Sequence, residues 1–399
     1  MPNQLPETRR VQLARLFTQV FDAPPTLFTR APGRVNLIGE HTDYNEGFVL
    51  PAAINRAAYV AARPRDDRQL RLYARQKDEH ATLALDELKP DLVTGWAAYI
   101  AGMADFLQQA GHTLTGADLM IDGDVPQGAG LSSSAALEMA IGATLLALAG
   151  HEIDRVQLAQ VGQRTEHHYI HVLSGIMDQL ISALGKANHA LLIDCRNYST
   201  QPLPLQRDVQ IVVCNSKVKR ELAHSGYNQR RAECDEAVRL LRAVLPEITT
   251  LRDVTPDHLD QHADLLPENV LKRARHVVTE NARVLESAEV LRRGDLQRFG
   301  ALMNEAHASY RDDFEASIRE IEVLVHAAQT LTGVYGSRLT GGGWGGCTVS
   351  LVADEAVERF CSTVSTIYEH EVGYTPDIYV CTAADGVEVV PVEEEQTAT

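Results

Sequence analysis

Apolar residues along the chain repeat with helical spacing in some stretches and form short strand-like runs in others. Between Leu13 and Val20 they recur at i, i+3, i+4 and i+7, which predicts an amphipathic first helix that ends before Pro24. Further helices are predicted up to about residue 149, across 154–169, through most of 216–329, and before the last strand. The predicted strands are 48–50, 59–62, 70–73, 119–122, 190–194, 209–215, 348–352 and 378–381.

This order of elements predicts a mixed α+β fold, because helices and strands do not alternate as in a parallel βαβ protein. The chain has 399 residues, enough for two or three domains. The pattern changes near residues 185–190, which predicts a two-lobed molecule with its site between the lobes. We place the N-terminal lobe at 1–185 and the C-terminal lobe at 186–399.

Charge and composition narrow the possible partners. Lys and Arg number 37 against 54 Asp and Glu, a net charge of −17, which disfavours nucleic acid or an anionic membrane as a partner. No apolar run is long enough to span a bilayer, and the N-terminus lacks the apolar core of a signal peptide, so we expect a cytoplasmic protein. Six cysteines stand singly without a Cys-x-x-Cys pair, which predicts reduced and mostly buried thiols.

The stretch 126–138 combines glycines and serines between a predicted strand and a predicted helix. Backbone N–H groups, hydroxyls and the positive end of a helix together form an anion site that suits a polyphosphate. The sequence is neither a Walker loop nor a serine-hydrolase Gly-x-Ser-x-Gly motif. The alternative is a plain turn that caps the helix, with Ser134 near its start.

The stretch 33–47 brings Arg, Glu, His and Asp side chains together between glycines. Carboxylates and an imidazole suit a polyhydroxylated ligand, because each sugar hydroxyl both donates and accepts hydrogen bonds. An exposed charged turn without function is the alternative interpretation.

Glu166 and Asp178 are two further acids to weigh. Asp178 lies among apolar residues, where an acid needs a partner or a task. It could accept a proton from an attacking hydroxyl, with Arg34 holding it ionised; alternatively, it caps the helix that follows. The nearby His167 and His171 share a helical face, but no third ligand or His-Glu-x-x-His arrangement supports a zinc site.

The stretch 336–347 is rich in glycine. It contains Gly-x-Gly-x-x-Gly, yet a strand follows where a dinucleotide-binding motif requires a helix. Ordering so many glycines is entropically costly, so we expect this stretch to pack closely against a ligand or another backbone segment.

In this order, residues 31–51, 126–138 and 336–347 resemble the three signature motifs of the GHMP small-molecule kinases, and the first has the form found in galactokinases. Residues 175–179, 191–195, 215–227 and 310–315 also resemble galactokinase segments, so the resemblance covers nearly the whole chain. It implies ATP-dependent phosphorylation of the C1 hydroxyl of α-D-galactose. The implied fold is a cleft between an N-terminal lobe like ribosomal protein S5 domain 2 and a ferredoxin-like C-terminal lobe.

The resemblance also implies roles for matching positions. Asp178 corresponds to the proton acceptor and Arg34 to the residue beside it that stabilises the transition state. Ser134 and Glu166 correspond to the Mg²⁺ ligands, and Trp96 to an aromatic near the adenine. The residues matched to the sugar hydroxyls are Glu40, His41, Asp43 and Tyr227. Those matched to the ATP phosphates are Gly128, Ala129, Gly130, Leu131, Ser132, Ser133 and Ser134.

The implied partners are galactose and MgATP, with no nucleic acid or membrane, and we expect a monomer. Trp344, Ser174 and His171 depart from the usual residues of the family, and Ser174 lies close in sequence to Asp178, so it bears on sugar selectivity. Alternatives are a kinase for N-acetylgalactosamine or L-arabinose, and a non-catalytic galactose and ATP sensor. The intact serine run 132–134 and the presence of Asp178 disfavour the sensor.

Overall fold

A computed structural model of the protein describes residues 5–218 and 223–392, which form two lobes of sheet and helix. The strands are β1 (Leu27–Asn36), β2 (Phe48–Val49), β3 (Pro51–Arg65), β4 (Gln69–Ala74), β5 (Glu79–Ala84), β6 (Gly116–Gly123), β7 (His189–Asp194), β8 (Thr200–Pro204), β9 (Val209–Asn215), β10 (Val334–Thr340), β11 (Cys347–Ala353), β12 (Asp377–Cys381) and β13 (Glu388–Pro391). The α-helices are α1 (Glu7–Phe21), α2 (Trp96–Gln109), α3 (Ser133–Leu148), α4 (Arg155–Thr165), α5 (Met177–Leu184), α6 (Ala223–Leu241), α7 (Pro256–His262), α8 (Glu268–Arg292), α9 (Leu296–Asp312), α10 (Arg319–Gln329) and α11 (Val357–Val372).

The N-terminal lobe is built on a six-stranded sheet with the order β13-β1-β3-β6-β4-β5. Helices α3 and α5 pack on β1 and β3, and α1 covers the other face through Leu13 and Phe17. Alternate residues of β3 enter the two cores: Val60 faces one and Tyr59 the other. The sheet is therefore buried on both sides, as the two apolar faces of its central strands require.

The start of the first motif is a strand rather than a loop. All ten residues of β1 are buried, including Arg34 and Asn36. The sequence did not predict this strand, because its arginines, Pro32 and Gly33 interrupt any apolar pattern. Helix α2 and the strands β5, β8, β10 and β13 were also not predicted, whereas the predicted first helix is confirmed.

The C-terminal lobe contains a four-stranded antiparallel sheet with the order β10-β11-β9-β12. Along the chain, helices α6 to α10 lie between β9 and β10, and α11 lies between β11 and β12. This is the βαββαβ arrangement of a ferredoxin-like domain, as predicted. Phe360 and Leu324 belong to the apolar layer between this sheet and its helices.

The chain ends by returning to the first lobe. Strand β13 pairs with β1, with Pro391 opposite Leu27, and a small sheet β2-β7-β8 joins segments from either side of residue 185. The lobe boundary at 185/186 stays a prediction. Strand β13, near the end of the chain, belongs to the sheet of the N-terminal lobe.

Two predictions from composition can be compared with this fold. Five of the six cysteines are buried. Within residues 5–218 and 223–392, no helix has both the length and the apolar character needed to cross a bilayer.

Candidate active site

A cavity of ≈ 590 Å³ lies between the lobes and collects most of the residues predicted to act. Leu131 of the glycine-serine loop (residues 126–138) is buried and, like Trp96, is not among the residues that line the cavity. The indole N–H of Trp96 instead donates to Glu79 at 2.6 Å. The predicted residues that line it are Arg34, Glu40, His41, Asp43, Gly128, Ala129, Gly130, Ser132, Ser133, Ser134, Glu166, Asp178 and Tyr227.

The glycine-serine loop packs closely against β1 at Gly33, where the strand has a bulge. A side chain there would lie 2.6 Å from the carbonyl oxygen of Leu131, and the N–H of Arg34 donates to that same oxygen at 3.1 Å. Ser132, in the left-handed conformation with φ 58°, precedes the first turn of α3. The N-terminus of a buried helix therefore faces the cavity, an arrangement that suits an anion. The binding of phosphate at this loop stays a prediction.

Ser134 lies in the first turn of α3, as the alternative of a helix-capping turn also expected. The residue in the cap position of α3 is Ser132, whose side chain makes no capping bond. The hydroxyl of Ser134 instead donates to Glu166 at 3.0 Å.

Asp178 and Arg34 form a bidentate ion pair in the cavity. Arg34 Nε donates to Oδ1 and Nη2 to Oδ2, each at 2.7 Å, and Nη1 donates to the carbonyl of Gly130 at 2.6 Å. The Ser132 hydroxyl also donates to the Asp178 carboxylate. Asp178 lies in the first turn of α5, whose cap position is Ile176, so the helix-cap alternative for Asp178 is wrong. The Arg34 guanidinium therefore connects the Asp178 carboxylate to the glycine-serine loop.

Glu40 and Asp43 present carboxylates from the first motif. Glu40 accepts hydrogen bonds from Asn36 Nδ2 at 2.6 Å and from the N–H of Gly341 at 2.8 Å. Burial, reinforced by the nearby charge of Asp178, raises the pKa of Asp43 to about 6. A side chain at Gly175 would lie 1.9 Å from the Asp43 carboxylate, so only glycine leaves room for this acid.

His41 sits among aromatic rings at the back of the cavity, in the left-handed conformation with φ 62°. Its Nδ1 lies 2.9 Å from the Tyr44 hydroxyl and its Nε2 lies 2.8 Å from the Tyr310 hydroxyl. Burial lowers the pKa of His41 well below its usual value, so the ring is neutral. Tyr227 packs against it with ring centroids 5.1 Å apart, and burial raises the pKa of the Tyr227 hydroxyl, which keeps it a donor. Both ring nitrogens of His41 therefore have protein partners.

Glu166 and Ser134 provide oxygen atoms suited to a hard cation. Glu166 begins a π-helical turn, Glu166–Ile170, that continues α4, and such turns are frequent at functional sites. Its carboxylate accepts from Ser134 and from Ser174, and burial raises its pKa. One carboxylate and one hydroxyl beside a phosphate site fit Mg²⁺, which keeps several waters and binds through few protein oxygens.

Sequence comparisons agree with this geometry. A model of the galactokinase galactose-binding signature matches residues 15–64, and models of the N-terminal and C-terminal domains of GHMP kinases match residues 98–186 and 287–369. A galactokinase of Roseiflexus sp. (strain RS-1) is 51% identical over 376 residues, 94% of this chain and 96% of that protein. The chain belongs to the galactokinase family. A galactokinase of Chloroflexus aggregans is 50% identical, with 95% and 97% of the two chains covered.

Solved structures confirm the predicted fold. The crystal structure of Lactococcus lactis galactokinase complexed with galactose matches with a TM-score of 0.92 and 38% identity, covering 95% of this chain and 99% of that one. A mevalonate kinase structure matches with a TM-score of 0.63 at 16% identity, covering 90% of this chain and 100% of that one, and so shares the fold. Both the predicted family and its two-lobed α+β architecture are confirmed.

Of the three departures from the usual galactokinase sequence, only Ser174 lines the cavity. Its hydroxyl donates to Glu166. His171 pairs with Asp91 at 3.0 Å, and the N–H of Trp344 donates to the carbonyl of Ala316 at 2.7 Å. The serine at position 174 therefore contacts Glu166, the predicted metal ligand, directly.

The glycine-rich third motif of this galactokinase-family chain packs against the first motif, as expected of a closely packed segment. The N–H of Gly341 donates to Glu40, and its carbonyl accepts from the Tyr310 hydroxyl at 2.8 Å. Sequence reasoning assigned no role to Tyr310 or to the cavity-lining Tyr99 and Lys217. No periodic signal points to these residues, because their role depends on contacts with distant segments.

Among the residues that the structure describes, acids outnumber bases in the cavity lining. Four carboxylates, those of Glu40, Asp43, Glu166 and Asp178, face two cationic side chains, Arg34 and Lys217. Within this described part of the lining, the excess of acids favours a polyphosphate that arrives with a divalent cation.

Proposed function

We propose that this protein transfers the γ-phosphate of ATP to the C1 hydroxyl of α-D-galactose, giving α-D-galactose 1-phosphate and ADP. The observation that carries the proposal is the placement of the Arg34–Asp178 pair where the phosphate loop and the acids of the first motif meet. The L. lactis structure that resembles this chain contains galactose, which supports the choice of sugar.

In the proposed reaction, protein groups mainly position reactants and neutralise charge. Asp178 accepts a hydrogen bond from the C1 hydroxyl and receives its proton as the phosphoryl group transfers. Arg34 holds the Asp178 carboxylate in place through two hydrogen bonds. It also donates to the loop carbonyl of Gly130, which brings its positive charge close to the developing phosphate charge. Ser134 and Glu166 would hold Mg²⁺, which when bound neutralises part of the phosphate charge.

The sugar is proposed to lie against the acids of the first motif. Ionised Glu40 and Asp43 accept hydrogen bonds from sugar hydroxyls, and charge-assisted bonds of this kind are about twice as strong as neutral ones. Tyr227 donates from the C-terminal lobe. His41 contacts the sugar through its backbone and the surface of its ring, because both ring nitrogens already pair with Tyr44 and Tyr310.

The proposal is tested by measuring ADP release with a panel of sugars. We expect the highest kcat/KM with galactose, and much lower values with glucose, L-arabinose and N-acetylgalactosamine. A higher kcat/KM with N-acetylgalactosamine or L-arabinose would identify the alternative kinase. ATP and galactose binding without turnover would identify the sensor. The monomeric state, the cytoplasmic location, the lobe boundary and the position of Trp96 near adenine stay predictions.

The raised pKa of Asp43 predicts a pH dependence. Only the ionised carboxylate makes charge-assisted hydrogen bonds to sugar hydroxyls, so kcat/KM for galactose should fall as the pH drops through about 6, approaching about tenfold per pH unit. Because the folded-state pKa lies above the ordinary 3.8, ionisation of Asp43 opposes folding as the pH rises towards 6, and bound sugar offsets this cost.

The control for this profile is the Asp43→Asn variant, which has no carboxyl group at this position. Its kcat/KM for galactose should be low throughout and lack the decline near pH 6. A variant that keeps the same decline would assign it to another group.

A further inference from the structure

A fully buried arginine lies behind the first motif. Arg338, on β10, has a side chain with 0% exposure. Its Nη1 lies 3.7 Å from Glu40 Oε1, and its Nη2 lies 3.6 Å from Glu280 Oε1. None of its three nitrogens has a hydrogen-bond partner within the described ranges 5–218 and 223–392. Arg338 therefore acts on these two acids through charge at short range rather than through direct hydrogen bonds.

Each of the two acids beside Arg338 holds a backbone amide of a different segment. Glu280 Oε1 accepts from the N–H of Gly39 at 2.9 Å. Glu40 Oε1 accepts from the N–H of Gly341 at 2.8 Å. The same two oxygens that face Arg338 thus fix the turn before Glu40 and the start of the glycine-rich third motif.

Charge balance makes Arg338 necessary to this arrangement. Glu40 is only 2% exposed, and a buried carboxylate needs a compensating cation nearby. Glu280 has a second partner, because Arg283 Nε donates to its Oε2 at 2.7 Å. Burial raises the pKa of Glu40, and among the described residues Arg338 is the cation that opposes this most. The weaker cation, Arg34, is already paired with Asp178. Loss of Arg338 would leave Glu40 undercompensated while Glu280 kept its partner.

We infer that Arg338 is a positioning residue of the sugar site, which holds the Glu40 carboxylate ionised and oriented towards the cavity without itself contacting the sugar. Arg338 does not line the cavity, whereas Glu40 does. The inference rests on the proposed function, since Glu40 is assigned there as a sugar ligand. Loss of Arg338 should affect the binding of galactose and not that of ATP, because Glu40 belongs to the proposed sugar side of the cavity and not to the phosphate loop.

The test measures Kd by calorimetry on the full chain, with galactose and separately with Mg²⁺ plus a non-hydrolysable ATP analogue. In Arg338→Met, galactose binding should weaken on the order of 10- to 100-fold, as expected when a hydrogen-bonding charged group loses its alignment. The Kd of the ATP analogue should stay within about threefold of the wild-type value, a change too small to reflect a lost hydrogen bond.

Arg338→Lys should restore part of the galactose affinity because it restores the charge. Arg283→Met is the matched control, since it removes a cation from Glu280 without facing Glu40.

The inference is overturned if folded Arg338→Met binds galactose like the wild type, or if both ligands weaken equally, which is the result of a merely structural role. It is also overturned if Arg283→Met selectively weakens galactose binding as much as Arg338→Met. Should Arg338→Met fail to fold, Arg338→Lys decides: selective weakening for galactose supports the inference, and equal weakening overturns it. A wild-type protein that binds the nucleotide but not galactose would instead overturn the proposed function.

Discussion

The Asp178→Asn protein is expected to keep its fold and to lose about a thousandfold or more in kcat, the combined effect of removing a base and its negative charge. Asparagine has nearly the same shape, so Arg34 and Ser132 keep a neighbour at this position. It cannot accept the proton of the C1 hydroxyl, and it leaves the Arg34 guanidinium without its carboxylate. Single-turnover kinetics with saturating galactose and MgATP measure this loss directly.

A chemically similar pair outside the cavity provides the control. Arg252 and Asp194 form a second two-pronged contact, with Nη2 donating to Oδ2 at 2.9 Å, and neither residue lines the cavity. Asp194→Asn should therefore lower stability without a comparable loss of kcat. Near-normal turnover in folded Asp178→Asn would refute the proposed role, as would an equal loss in Asp194→Asn.

The sequence identified the acids of the site because their surroundings are unusual for charged residues. Asp178 stands among apolar neighbours, and Glu40 and Asp43 lie between glycines. What sequence spacing could not predict is their pairing. Arg34 meets Asp178 144 positions away, and the N–H of Asn36 meets Thr340 304 positions away. Such pairs leave no periodic signal, since each partner appears isolated in its own segment.

Strand β1 was not predicted for the same reason, because the partners of its polar residues lie far away in the sequence. A strand buried on both faces is usually recognised as a continuous apolar run, but β1 carries Arg30, Arg34 and Asn36, whose partners come from later parts of the chain. The left-handed backbone conformation of His41 and Ser132 could not be predicted either, because non-glycine residues seldom adopt it. Both lie at the cavity, where surrounding contacts hold them in place.

The fold was easier to predict than the site because it depends on patterns that are local. The long helices of the C-terminal lobe repeat apolar residues on one face, as in α10, where Ile321, Leu324 and Val325 are buried. Arg338 shows the opposite case. Its sequence neighbours Ser337 and Leu339 give no sign that its side chain lies between two acids from other segments.

The second large effect is expected at the predicted metal ligand. Glu166→Gln should raise the Mg²⁺ concentration needed for half-maximal activity roughly 100-fold, the upper end of losses seen even for groups just outside a metal's ligand shell. The amide keeps an oxygen for Ser134 or Ser174 but removes the negative charge that a hard cation prefers. Titration of Mn²⁺ in the presence of ATP, followed by electron paramagnetic resonance, measures the binding independently of turnover.

Glu138 offers a matched control for this change. It is fully buried and accepts from Gln179 Nε2 at 3.0 Å, and burial raises its pKa well above the usual value. Unlike Glu166, Glu138 does not line the cavity. Glu138→Gln should therefore leave the Mg²⁺ requirement within about twofold, a change smaller than loss of a charged ligand produces. If instead both variants raise the Mg²⁺ requirement equally, the effect comes from disturbing buried acids in general, and Glu166 is not the ligand. If only Glu166→Gln does so, the charge of Glu166 is what the cation requires.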